Sequence, residues 1–201
     1  MTPGVYGRLP EGRPAGLRRR TLGAGSCWWR LDAEAPAGWS WAGFPHARNR
    51  FDPDSGGFRV RYAARSVAGT ARERYLATGR YIPADHGGHH LVRLEAVRPL
   101  RVLDLRSEAN LDALGVDDRI STGREPEVWA ACHRLTVALR AWWGDGLDGI
   151  VYRSRTTPAS SANLAFFATT AFELHSRRLA DAADVLTRLV LDHGFTVGFP
   201  F

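Results

Sequence analysis

The sequence contains no lysine, only two cysteines and no long apolar run. Cys27 and Cys132 are too few and too far apart for a disulfide framework or a zinc site, which fits a reduced, cytoplasmic setting. No stretch approaches the ~18 uninterrupted apolar residues of a membrane span. After Arg18, Arg19 and Arg20, Leu22 gives way to Gly23 and Gly25, so the apolar region of a secretory signal is missing too. There is no phosphate-binding P-loop, no GxGxxG opening a helix, no GxSxG elbow and no HExxH. The commonest motif-borne chemistries are thereby set aside.

What is present is arginine. All 27 basic residues are arginine, against 21 acidic ones, for a formal charge of +6 and a pI of about 10.1. Such a balance can signal nucleic-acid binding. The arginines are scattered rather than gathered on one helix, which fits a GC-rich coding bias better. Arginine also suits a bidentate grip on phosphates, so some of these side chains could face an anionic ligand. The 201 residues, 44% hydrophobic and 24% charged, fit one domain that can bury a sizeable core.

Residues 1–22 mix Pro3, Gly4, Gly7, Pro10, Gly12, Pro14 and Gly16 with arginines and lack an apolar period. They read as a disordered basic tail, with the folded domain over 23–201. Cys27–Leu31 reads as a first strand, 34–57 as a long irregular segment that could line a site, and Phe58–Ala64 as a half-buried strand. Ser66 caps a helix to about Thr78, stopped by Gly79. Leu91–Val97 and Val102–Leu105 are strands, and Ser107 opens a short helix ending near Gly115. Pro126 starts a helix to about Trp143, with Val128, Ala131, Leu135 and Leu139 as its core stripe. Gly149–Arg153 and Leu164–Ala168 are strands around a polar loop, Thr156–Ala162. Asp181 or Asp184 begins a last helix through His193, and Phe195–Val197 is a final strand. Interspersed short strands and helices predict an α+β fold, or mixed α/β, rather than a regular doubly wound sheet.

Taken one by one, the chemistry-bearing residues have ordinary explanations. His86, His89 and His90 flank Gly87-Gly88, but only Asp85 stands near them at ligand spacing, so a solvated loop fits better than a metal site. Trp28-Trp29 and Trp142-Trp143 read as core, whereas Trp39 and Trp41 are candidate pocket walls. Arg30, Arg50, Tyr62, Glu73 and Ser154 could each serve packing or ion pairing.

Their order says more. Arg30 ends a strand, and a second arginine follows twenty residues on in Arg50-Phe51-Asp52-Pro53. Tyr62 ends the next strand, and Glu73 comes eleven residues later in Ala71-Arg72-Glu73. Ser154 closes Asp148-Gly149-Ile150-Val151-Tyr152-Arg153-Ser154, with Asn163-Leu164-Ala165-Phe166-Phe167 after it. This ordered set resembles the RES-domain family, named for its Arg, Glu and Ser, over about Ser26–Phe201. The resemblance implies a single domain with the ADP-ribosyltransferase fold that degrades NAD by hydrolysis or phosphorolysis of the nicotinamide–ribose bond. It further implies the toxin of a toxin–antitoxin pair, blocked by an Xre-type antitoxin that would be its only route to DNA. Carried over, Arg30 and Arg50 grip the pyrophosphate, Tyr62 packs on the nicotinamide or ribose, Glu73 sits at the nicotinamide ribose and Ser154 bonds the ribose or the acceptor. NAD is the substrate, inorganic phosphate a possible co-substrate, and no metal is called for. Arg153 and Arg155 would suit an anionic acceptor. Two other readings stay open: an ADP-ribosyltransferase that modifies a protein, and a basic nucleic-acid-binding module.

Overall fold

Apolar residues alternate along the central strands, and that alternation decides which face of the sheet each strand gives to which part of the core. The computed structural model describes residue 6 and residues 9–54, 56–156 and 161–201. In chain order its elements are β1 (Arg19–Leu22), β2 (Cys27–Asp32), β3 (Arg61–Ala64), α1 (Val67–Tyr75), β4 (Tyr81–Ile82), β5 (His90–Ala96), β6 (Leu100–Asp104) and α2 (Glu108–Leu114). There follow α3 (Arg119–Thr122), α4 (Pro126–Trp143), β7 (Gly149–Arg153), β8 (Ala162–Phe166), β9 (Phe172–Arg178), α5 (Ala183–His193) and β10 (Thr196–Val197). Eight strands form one sheet in the order β1-β6-β7-β8-β3-β2-β5-β9, while β10 and β4 pair separately. Within the large sheet only β6 and β7 run parallel. This is the α+β architecture expected.

Successive side chains on a strand point to opposite faces. On β2, Trp28 joins one core with Val92, Leu94, Leu164 and Phe166. Its neighbours Trp29 and Leu31 join another with Tyr75, Leu91, Leu186 and Leu189, under α1 and α5. On β7 and β8, Ile150, Tyr152 and Ala165 face a third cluster built with Ile120, Val128, Leu135 and Leu139 of α3 and α4. The registers Trp29 opposite Ala64 and Tyr62 opposite Ala165 place the second and third clusters on the same face. The helices therefore cover that face in two groups, with β3 and the end of β8 between them.

A split in the sheet lies at the same place. β2 pairs with β5 over six residues, but with β3 only at Trp29 opposite Ala64. Beyond that pair the two strands part. Arg30 bridges the gap by donating from Nη1 to the Tyr62 carbonyl at 2.8 Å.

Several expectations hold to within a residue or two. Ser66 caps α1, its hydroxyl accepting from the Gly69 N–H at 3.0 Å, and Gly79 ends the following turn at a positive φ of 70°. Others are corrected. In the segment 1–22, residues 1–5, 7 and 8 lie outside the described residues, but Arg19–Leu22 is a strand paired with β6, and Tyr6 and Leu17 are buried. The fold thus begins before residue 23, because main-chain pairing needs no apolar period. β9 and α3 were not foreseen. β9 is a sheet edge whose side chains are mostly exposed, and arginines at such edges discourage strand addition. Phe58–Ala64 is strand only from Arg61, and Arg61 is buried rather than solvent-facing. Residues 157–160 of the polar loop lie outside the described residues. Among the described residues no helix is long and apolar enough to cross a membrane.

Candidate active site

A cavity of about 500 Å³ opens in the split between β2 and β3. Among the described residues its lining holds seven arginines and three carboxylates, Asp32, Glu34 and Glu73, so its electrostatics favour an anionic occupant. Arg30, Arg50, Tyr62 and Glu73 all line it. Ser154 reaches the same place through a hydrogen bond to Glu73. The five residues singled out in the sequence therefore converge.

Glu73 sits on α1, and its Oε1 gathers three donors from β8 and from the loop that joins β7 to it. Ser154 Oγ donates at 2.6 Å, Asn163 Nδ2 at 2.9 Å and Thr156 Oγ1 at 3.0 Å. Asn163 is placed by register, opposite both Tyr152 and Ala64, and is buried together with Ser154. Its own Oδ1 is buried without a partner among the described residues. Charge-assisted bonds of this kind are short and strong, so the carboxylate is fixed in orientation. Asn163 and Thr156 were not recognised from sequence as partners of Glu73. Nothing local reveals that a side chain ninety positions away will hold a helical glutamate.

Tyr62 is oriented from the opposite direction. Its hydroxyl donates to Asp52 Oδ1 at 2.9 Å and accepts from the Phe51 N–H at 3.0 Å. Asp52 is almost fully buried. Its Oδ2 accepts from the Arg48 and Asn49 N–H groups and from Asn49 Nδ2 at 2.9 Å. One carboxylate thus ties the loop that carries Arg50 to the phenol of Tyr62. Burial, reinforced by the Asp52 charge, holds the Tyr62 hydroxyl well above its ordinary pKa. Tyr62 remains neutral and offers its ring, not a proton, to the cavity. Tyr152 is raised likewise, by burial and then by the charge of Glu73, with Arg50 acting against them.

The two expected phosphate arginines differ. Arg30 is half-buried and paired with Asp32, its Nη2 2.7 Å from Oδ2. Burial tends to raise the Asp32 carboxyl, but the charge and hydrogen bond of Arg30 outweigh it and hold the pKa below the usual value. Arg50 is buried, and its guanidinium donates to the Ile120 carbonyl at 3.2 Å and the Gly123 carbonyl at 2.6 Å. It lies over the Trp129 ring, 5.5 Å from its centroid. Two of its donors are therefore occupied by main chain. Trp39 and Trp41, expected as pocket walls, instead cover Arg61 at 4.5 and 5.5 Å and are absent from the cavity lining. Burial and the nearby Arg30 push Arg61 down to about 10. His86 stacks on His89 at 4.0 Å and meets the Tyr75 hydroxyl at 3.0 Å. Among the described residues no group of three or more His, Cys, Asp or Glu is placed to hold a metal ion.

Comparison with known proteins adds two findings. The model of the RES domain matches residues 27–187. A chain of the crystallised MbcT–MbcA toxin–antitoxin complex of M. tuberculosis has a similar fold, with a TM-score of 0.54 over 83% of this chain and 92% of that one, at 14% sequence identity. No curated protein matches the sequence.

Proposed function

The chain belongs to the RES-domain family, and from that membership and the geometry of the cavity we propose that it degrades NAD by cleaving the nicotinamide–ribose bond. The observation that carries the proposal is Glu73, a carboxylate fixed by three donors in a cavity otherwise dominated by arginine. In this reaction the glycosidic C–N bond breaks, its electron pair returns to the pyridinium nitrogen, and neutral nicotinamide departs. Positive charge builds on the ribose as an oxocarbenium-like centre. A preorganised carboxylate stabilises that charge without reorganising. The nicotinamide nitrogen is already cationic, so departure requires no strong general acid.

The other residues take supporting parts. The arginines hold the diphosphate by charge and by hydrogen bonding. Tyr62 packs its ring against the nicotinamide ribose. Ser154 and Asn163 hold Glu73, and the unpartnered Asn163 Oδ1 can accept from a ribose hydroxyl. The acceptor at the anomeric carbon is water or inorganic phosphate, and Arg153 and Arg155, both at the cavity, suit an anion. In the cell this activity makes the chain the toxin of a toxin–antitoxin pair, restrained by an antitoxin protein. The resemblance gives that antitoxin the Xre type.

The test is product analysis with purified protein, NAD and either phosphate or a phosphate-free buffer. Hydrolysis yields nicotinamide and ADP-ribose. Phosphorolysis yields nicotinamide and ADP-ribose phosphorylated at the anomeric carbon. Label from NAD appearing on protein would replace this reading with ADP-ribosyl transfer, and intact NAD in both buffers would refute it.

A further inference from the structure

The cavity has a second polar corner that the proposed chemistry at Glu73 does not use. Arg50, Ser121 of α3 and Trp129 of α4 line it together. The Ser121 hydroxyl and the Trp129 indole N–H are both buried and, among the described residues, have no hydrogen-bond partner. Ser121 is only 1% exposed. Buried polar groups in folded proteins are nearly always satisfied, so two orphans in one wall of one cavity call for an explanation.

Arg50 sharpens the question. Its hydrogen bonds go to the main-chain carbonyls of Ile120 and Gly123, and among the described residues none goes to a carboxylate. The carbonyls satisfy two N–H groups but supply no counter-charge. The Trp129 ring contributes only a cation–π contact. A buried cation without an anion is costly. The corner therefore combines one uncompensated positive charge with two idle donors.

We infer that Arg50, Ser121 and Trp129 form a subsite for a phosphoryl group. A phosphoryl oxyanion supplies the missing charge and enough acceptor oxygens for a guanidinium, a hydroxyl and an indole N–H together. The group is either part of the substrate's diphosphate or a free phosphate bound as acceptor, and this choice of occupants rests on the NAD reading above. Ser121 and Trp129 act here by direct contact with the anion, and α3 is the element that brings the hydroxyl to the wall.

Calorimetric titration of the full chain with pyrophosphate, ADP-ribose and orthophosphate tests this independently of any turnover. Ser121→Ala deletes one donor. Trp129→Phe deletes the other while keeping an aromatic ring over Arg50. Each substitution is expected to weaken anion binding about tenfold, the scale of one hydrogen bond to a charged group, without moving the melting temperature by more than a few degrees. Losses confined to pyrophosphate and ADP-ribose assign the corner to the substrate's diphosphate, and a loss confined to orthophosphate assigns it to the acceptor. If one variant fails to fold, the other decides alone. Wild-type affinity in the folded variants for all three probes overturns the subsite, as does a wild-type chain that binds none of them. A chain that leaves NAD intact, yet loses anion affinity in both variants, would overturn the NAD reading and keep the subsite.

Discussion

Two corners of one cavity treat their charged residue in opposite ways. At the Glu73 corner, three side-chain donors from β8 and the loop before it converge on a single carboxylate oxygen. At the Arg50 corner, a guanidinium is held by main-chain carbonyls beside a hydroxyl and an indole N–H that meet no acceptor among the described residues. The first corner holds its charged group with side chains of the protein and offers acceptors outward. The second is incomplete and offers donors. A molecule with positive charge developing on a ribosyl carbon and phosphates further along would complement both, as the nicotinamide riboside and the diphosphate of the proposed substrate would.

Substitutions that break one corner and spare the other sharpen this comparison. The largest effect belongs to Glu73→Gln. The amide oxygen can still accept from Ser154 and Asn163, so the fold should melt as in the wild type, while nicotinamide release falls at least about 100-fold, the scale of one preorganised electrostatic contact in a transition state. Asp52→Asn comes next and reaches the link between the corners, since Asp52 joins the Arg50 loop to Tyr62. Losing the charge weakens several buried bonds. Urea unfolding should report a loss of about 2 kcal/mol, and kcat/KM should drop roughly tenfold. Ser154→Ala removes one of the three donors to Glu73 and leaves two. It should lower kcat several-fold with KM little changed, because the carboxylate stays in place but is less well fixed.

The smallest effect is on stability against pH. Asp32, Asp104 and Asp148 are each held below the ordinary carboxylate range. Burial opposes this, and it is outweighed by Arg30 for Asp32, by Arg106 and Arg20 for Asp104, and by Arg98 for Asp148. Their folded pKa values lie below the unfolded ones. Their contribution is therefore complete above about pH 4 and is lost as pH falls through the folded values. Denaturation midpoints measured between pH 7 and pH 3 should stay level at first and fall below about pH 4. Asp32→Asn, which touches neither corner's anchor, should flatten part of that fall.

How much of this could be read from the sequence depends on whether the signal was local. Pro126 and its apolar stripe marked α4 to the residue, and the continuous run Gly149–Arg153 marked β7. The ordered Arg, Tyr, Glu and Ser picked out residues that come together at one cavity, because order along the chain is itself a sequence property. Pairing partners are not. Asn163 lies just before the strand expected from Leu164, and only the β7–β8 register places it under Glu73. Arg61 looked solvent-facing in an alternating pattern, yet two tryptophans from a distant irregular segment cover it. β1 and β9 carry arginines on exposed sheet edges; β1 is held by main-chain pairing with β6, and in β9 only Phe172 and Leu174 pack inward, too few apolar positions to mark a strand.

The central claim is that Glu73 breaks the nicotinamide–ribose bond from a fixed position in an arginine-lined cavity. The most direct test is release of nicotinamide from NAD by the purified wild-type chain, followed beside Glu73→Gln at the same concentration. The account predicts steady release by the wild type and near-background release by the variant, with superimposable melting curves. Release at equal rates, or NAD left intact by the wild type, would contradict it.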